Sequence, residues 1–224
     1  MDGYFLLIIV LSMLSVWASS QVQRSFVKYS KVPNDRGLTG AEAARILVQR
    51  NNLNVNIDRS PGGMLSDHYD PRTNTVRLSP EVYDGRSVAS LSVASHEVGH
   101  AIQHAFGYKP LAFRTTLFPV ASFASQAWTL FFFMGLFIGR TNFFINIAIV
   151  LFSMGLLFQI ITLPVEFDAS RRALAQMTDQ GLLGTSQMPG ARAVLKSAAL
   201  TYVMAALMGV ANLMRLLSLR GRRN

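Results

Sequence analysis

The chain has 224 residues, half of them hydrophobic and only 15% charged, whereas soluble domains carry about 25% charge. It lacks cysteine, which excludes disulfides, thiolate metal sites and a cysteine nucleophile; a bound zinc must use nitrogen and oxygen ligands. The formal charge of +9 does not point to nucleic acid, because the arginines and lysines flank apolar segments and no finger, basic aromatic stripe or recognition helix accompanies them.

Tyr4 to Ala18 is an uncharged apolar run. Asp2 precedes it where a secretory signal would carry basic residues, and no good small-x-small cleavage site follows Trp17, so the run reads as a retained anchor, with Ser19 to Val22 completing a span. From Arg24 to about Lys109 the chain turns polar and rich in turns. Thr39 with Glu42 three residues on predicts a capping box for the helix GAEAARILVQRNN, with Ala43, Ala44, Leu47 and Val48 on one stripe. LNVNI, alternating through Leu53, Val55 and Ile57, predicts a short strand, and Ser60-Pro61-Gly62-Gly63 a turn. Met64 to Asp70 and Thr75 to Leu78 predict a β-hairpin closed by DPRTN. Ser79 to Tyr83 is a short helical or turn element. This polar part is small and short of core by itself, so it is expected to lean on the apolar helices.

LSVASHEVGHAIQHAFGY, starting at Leu91, holds three of the four histidines. Ser87 or Ser90 can cap its start and Gly107 can end it, so His96-Glu97-Val98-Gly99-His100 lies on one helix. Residues i and i+4 share a helix face, so two imidazoles can bind one zinc, with Glu97 as general base for the water it activates. Gly99 costs the helix about 1 kcal/mol against alanine; either another element comes close there or the glycine is merely tolerated.

Leu117 to Ile138 and Phe143 to Leu163 are long apolar runs separated by Gly139-Arg140-Thr141-Asn142, a membrane hairpin that returns the chain to the side it left. Gly135 and Gly155 could allow close helix approach, although each is more often ordinary membrane-helix composition, and Ser122, Ser125 and Gln126 can bond along their helix or to a neighbour. Pro164 is expected to start a new helix with Glu166 and Asp168 in its first turn. Gly181, Gly184, Pro189 and Gly190 break the chain, and Ala193 to Leu217 is a fourth apolar run. Arg24, Lys28, Lys31, Arg36, Lys109, Arg114, Arg171, Arg172, Arg192 and Lys196 lie on the motif side; Arg140, Arg215, Arg220, Arg222 and Arg223 lie on the other. The balance favours a cytosolic motif domain with the N-terminus outside, although the basic tail weighs against it.

A catalytic zinc needs a third protein ligand and an open position. The candidates are Glu166, Asp168, His104 and His68. The hairpin brings Glu166 to the face of His96; Asp168, two positions on, points elsewhere, so only one of them can face the metal. His104 is eight residues beyond His96 on the same helix face, and one straight helix cannot wrap three ligands around an ion. His68 and Tyr69, on an extended segment ahead of the motif helix, are candidates for substrate contact or oxyanion stabilisation; His68 reads equally well as a structural histidine bonded to Asp67 or Asp70. Asp168 or Ser170 can orient a ligand imidazole.

SDHYDPR, RLSPEVYDGRS, HEVGHAIQHAFGYKPLAFR and LPVEFDASRRA together resemble the neutral zinc metallopeptidases of the membrane-bound YugP type, over nearly the whole chain. More distantly the arrangement is similar to gluzincins of the HtpX kind, in which a helix after two membrane segments supplies a glutamate ligand. The resemblance implies a bacterial inner-membrane zinc endopeptidase with His96, His100 and Glu166 as ligands and Glu97 as base, acting on membrane or misfolded proteins. Those gluzincins carry an aspartate four residues after the ligand glutamate; here that place is Ser170.

The expectation is therefore a mainly helical α+β integral membrane protein with a small zincin-like domain and about four transmembrane helices. Its parts are an anchor at 1–22, the zincin-like domain at 23–116, a membrane hairpin at 117–163, the third-ligand helix and loop at 164–192, and a last span with a basic tail at 193–224. The cofactor is Zn2+. The partners are a polypeptide substrate and the lipid bilayer, with a second copy or another membrane protein admissible and no nucleic acid. A membrane scaffold with a structural metal site is the alternative. A transporter ranks third, because no pair of broken helices places ligands at the midplane.

Overall fold

The structure, a computed structural model, describes residues 3–138 and 141–221. Asp2, Gly139, Arg140, Arg222 and Arg223, which entered the topology argument, lie outside them. In chain order the elements are α1 (Gly3–Ser30), α2 (Gly40–Arg50), β1 (Asn56–Arg59), β2 (His68–Asp70), β3 (Thr75–Leu78), α3 (Pro80–Tyr83), α4 (Val88–Ala105), α5 (Lys109–Phe137), α6 (Thr141–Asp179) and α7 (Met188–Gly221). The chain divides into two compact units. One comprises Met1–Trp17, Ala112–Pro164 and Thr201–Asn224; the other comprises Ala18–Leu111 and Val165–Leu200.

The first unit is built from apolar helix. Among the described residues four helices are long and apolar enough to cross a membrane: Tyr4–Ser30, Lys109–Phe137, Phe143–Asp179 and Met188–Ser218. Their large side chains point outward, Val16 being 71% and Phe137 82% exposed, a surface that lipid solvates and water does not. Inside, Trp128 meets Phe152 edge-on with ring centroids 5.0 Å apart, and Ile145, Ile149 and Leu216 form a small core. A Cβ on Gly135 would stand 3.0 Å from Ile145 Cγ1, whereas Gly155 has nothing within 4 Å. Gly155 is thus ordinary membrane-helix composition, while a close approach occurs at Gly209, where a Cβ would meet Leu156 Cδ1 at 2.7 Å. Ser125 and Gln126 both donate to the Ser122 carbonyl within their own helix.

The second unit carries the sheet and the motif helix. The Glu42 N–H donates to Thr39 Oγ1 at 3.1 Å and the Thr39 N–H to Glu42 Oε2 at 2.7 Å. This reciprocal pair satisfies two backbone donors at the start of α2. Ala43, Ala44 and Leu47 from its stripe are buried. The sheet has the order β1-β3-β2; β2 and β3 form the antiparallel hairpin with His68 opposite Arg77 and Asp70 opposite Thr75. β3 is central and buried, while β2 is an edge. β1 runs parallel to β3 and lies a few residues later than LNVNI predicted. Leu53, Val55 and Ile57 do face the core, but the ladder hydrogen bonds begin only where the chain draws level with Thr75.

The core of this unit joins Leu47, Val76, Leu78, Val82, Leu91 and Val98 to Phe26 of α1, Ala173 and Met177 of α6, and Val194 of α7. The polar segment is thus completed by the ends of helices that begin in apolar sequence. The expectation that Pro164 starts a helix is corrected: it sits inside α6, which runs unbroken from Thr141 to Asp179. Proline removes one ladder donor, and here the helix continues past that loss. Glu166 and Asp168 therefore do not satisfy first-turn amides.

Candidate metal centre

α4 is positioned by its ends. The Ser90 N–H donates to Ser87 Oγ at 3.1 Å. At the other end Gly107 adopts φ +62°, which lets the Tyr108 N–H reach the Gln103 carbonyl at 2.9 Å and the Gly107 N–H reach that of His104 at 3.1 Å. Between these caps the i, i+4 spacing stacks His96 and His100 on one face, their rings edge-on with centroids 4.8 Å apart. Gly99 lies between them, and a Cβ there would stand 2.6 Å from the Ala169 carbonyl oxygen. The glycine thus admits the backbone of α6, and mere tolerance is not its explanation.

That close approach delivers Glu166. Its buried carboxylate places Oε2 at 3.2 Å from His96 Nε2 and 3.6 Å from His100 Nε2. The ligand atoms of the three residues all lie within 4.8 Å of one another. Tetrahedral zinc with bonds of about 2.0–2.2 Å holds its ligand atoms about 3.3 Å apart, so the spacing and the two-nitrogen, one-oxygen donor set fit that ion with one position left for a water. One turn further along α6, Ser170 Oγ lies 3.2 Å from His96 Nδ1. Asp168 points away from the cluster. It accepts from Arg171 and Arg172 on its own helix and from Gln103 Nε2 at 2.9 Å, so of the two acids it is Glu166 that faces the imidazoles.

Glu97 is buried beside this cluster. Burial pushes its carboxyl up to about 7; the His96 charge pulls it down, while Glu166 and Asp67 push it up. The edge strand β2 packs beside the motif helix. Its side chains are engaged elsewhere. The Tyr69 hydroxyl lies 2.8 Å from His104 Nδ1 and 3.1 Å from Asn74 Oδ1, and the exposed His68 has Nδ1 at 2.9 Å from the Ser66 carbonyl. Asp67 accepts from Ser79 and Asp70 from Arg77. Neither His68 nor His104 belongs to the group of ligand atoms around Glu166.

Sequence reasoning passed over Gln103. It is fully buried, and its Oε1 lies 3.1 Å from His100 Nδ1. The signal was present: seven residues beyond His96 and three beyond His100, it lies on the ligand face, a polar residue inside an apolar stretch.

The sequence profile of the family described as "Putative neutral zinc metallopeptidase" matches residues 4–221. The chain is 47% identical over 212 residues, covering 93% of each chain, to a Bacillus subtilis (strain 168) protein named "Putative membrane protease YugP". No solved structure matches it. The match spans both the apolar helices and the cluster of His96, His100 and Glu166. The chain belongs to this neutral zinc metallopeptidase family and is a multi-pass bacterial membrane peptidase, a hydrolase of polypeptides.

Proposed function

We propose that His96, His100 and Glu166 hold one zinc ion and that Glu97 is the general base of peptide hydrolysis. The observation that carries this is the convergence of three ligand atoms within 4.8 Å of one another beside the buried carboxyl of Glu97. Zinc, when bound, lowers the pKa of a water and polarises the carbonyl it faces. His96 and His100 offer their Nε2 lone pairs, and Glu166 offers a carboxylate oxygen. Glu97 takes the proton from the attacking water and returns it to the amine nitrogen as the C–N bond breaks. Glu97 adjoins His96 in sequence but is not among the converging ligand atoms, so its carboxyl would remain available as a base.

β2 supplies the means of holding a substrate. As an edge strand it offers outward backbone groups to an extended peptide, and it packs beside the motif helix. A peptide paired there runs past the metal ligands, with His68 and Tyr69 as the side chains that flank it. Such a site takes any unfolded stretch, which suits membrane or misfolded proteins as substrates. The excess of Arg24, Lys28, Lys31, Arg171, Arg172 and their neighbours on the motif side supports a cytoplasmic catalytic unit.

The test is metal content and casein hydrolysis of the detergent-purified chain, with Glu97→Ala and Glu166→Ala. About one zinc per chain is expected in the wild type, kept without Glu97 and much weakened without Glu166, with hydrolysis lost in both variants. Full hydrolysis by the Glu97 variant overturns the mechanism, and zinc without any hydrolysis in the wild type leaves a scaffold with a structural metal.

A further inference from the structure

We infer that Gln103 is a positioning residue of the metal centre: it fixes which nitrogen of His100 is free to bind metal. The inference rests on the zinc reading above.

The orientation of one amide decides the tautomer. Gln103 Nε2 faces two acceptors, the Val165 carbonyl at 2.8 Å and Asp168 Oδ2 at 2.9 Å. Neither can donate: a backbone carbonyl never does, and Asp168 is held as a carboxylate by Arg171 and Arg172. A flipped amide would point its oxygen at both of these oxygens, in a place that water does not reach, since Gln103 is 0% exposed. The amide therefore has one satisfied orientation, with the NH2 towards α6 and Oε1 towards His100. Oε1 lies 3.1 Å from His100 Nδ1 and can only accept. His100 must then carry its hydrogen on Nδ1, which leaves the Nε2 lone pair aimed at the Glu166 side of the site.

The consequence reaches across two helices. The arginine pair holds Asp168, Asp168 and the Val165 carbonyl hold Gln103, and Gln103 holds His100. Three of these groups lie on α6, the helix that also brings Glu166. The same contacts that seat the third ligand thus set the tautomer of the second. Outer hydrogen-bond partners of this kind are worth about 10–100-fold in metal affinity.

The experiment uses the full chain purified in detergent, with zinc affinity measured by chelator competition and His100 observed by 15N spectroscopy of histidine-labelled protein. Gln103→Leu keeps the side-chain size and removes both the acceptor and the donor; Gln103→Glu keeps an acceptor for Nδ1 and, with its second oxygen protonated, a donor towards Asp168 or the Val165 carbonyl. The wild type is expected to show a hydrogen on His100 Nδ1 that exchanges slowly with solvent. In Gln103→Leu zinc affinity should fall by about 10–100-fold, with the Nδ1 hydrogen exchanging freely, while Gln103→Glu stays closer to wild type than Gln103→Leu does. A purely structural role would not move the Nδ1 signal of a folded variant. A His100 Nδ1 without hydrogen in the wild type overturns the inference even if Gln103→Leu fails to fold. So does unchanged zinc affinity in a folded Gln103→Leu. Absence of zinc binding by the wild type would instead refute the zinc reading, and the spectroscopy of the metal-free wild type still decides the role of Gln103.

Discussion

The carbonyl oxygen of Ala169 lies 2.6 Å from the point where a Cβ on Gly99 would stand. Helix propensity alone predicts that Gly99→Ala gains about 1 kcal/mol. The contact predicts the opposite for the site: the obstacle is backbone, so α6 must shift, and overpacking of this kind costs about 1–3 kcal/mol. A shift of a few tenths of an ångström carries Glu166 away from both imidazoles. We expect Gly99→Ala to remain helical by circular dichroism while zinc affinity falls at least tenfold. Wild-type affinity in the alanine variant would mean that α6 can yield without moving its ligand.

Ser170 lies four residues beyond Glu166 on α6, and its Oγ is 3.2 Å from His96 Nδ1. Accepting the Nδ1 hydrogen leaves His96 Nε2 free towards Glu166. Ser170→Ala should weaken zinc about tenfold, at the low end for a neutral partner, and Ser170→Asp should restore or tighten it because a charged acceptor bonds more strongly. Chelator competition distinguishes the two. Equal affinity in all three proteins would show that packing alone orients His96.

Asp67 links pH to stability. Burial pushes its carboxyl above the ordinary carboxylate range, against two hydrogen bonds from Ser79 that pull the other way. The folded chain therefore holds this proton to higher pH than the unfolded chain does. The stabilisation from the protonated form is complete below the unfolded value, about 4, and is lost as pH rises through the raised folded value. Asp67→Asn keeps an oxygen for the Ser79 amide and does not titrate. Its melting temperature should gain on the wild type as pH rises from about 4 and level off once Asp67 is fully ionised. Parallel melting curves across that range would remove Asp67 from the account.

What could be read from the sequence was local. The Thr39 and Glu42 cap, the Ser87 cap and the pairing of His96 with His100 each rest on residues three or four apart, and each is seen in the structure. The return of Glu166 to the motif face was also legible, because two apolar runs with a short connection leave the chain little choice. What escaped is what two distant segments do to each other. Pro164 reads locally as a helix start, yet the helix runs through it. LNVNI alternates correctly, but strand limits depend on where β3 lies beside it. Asp168 looked like a rival ligand because nothing in its own neighbourhood announces Gln103, 65 positions away.

Two of the contacts that seat the third-ligand helix use its main chain: the Val165 carbonyl accepts from Gln103, and the Ala169 carbonyl lies over Gly99. Main-chain atoms are the same whatever residue follows, so mutational tolerance is unequal between the two helices. Phe167 and Ala175, exposed on α6, can vary with little effect on where the ligands meet. On α4, Gly99 and Gln103 admit almost no replacement, since one must stay small enough and the other polar enough to fit a partner that cannot change.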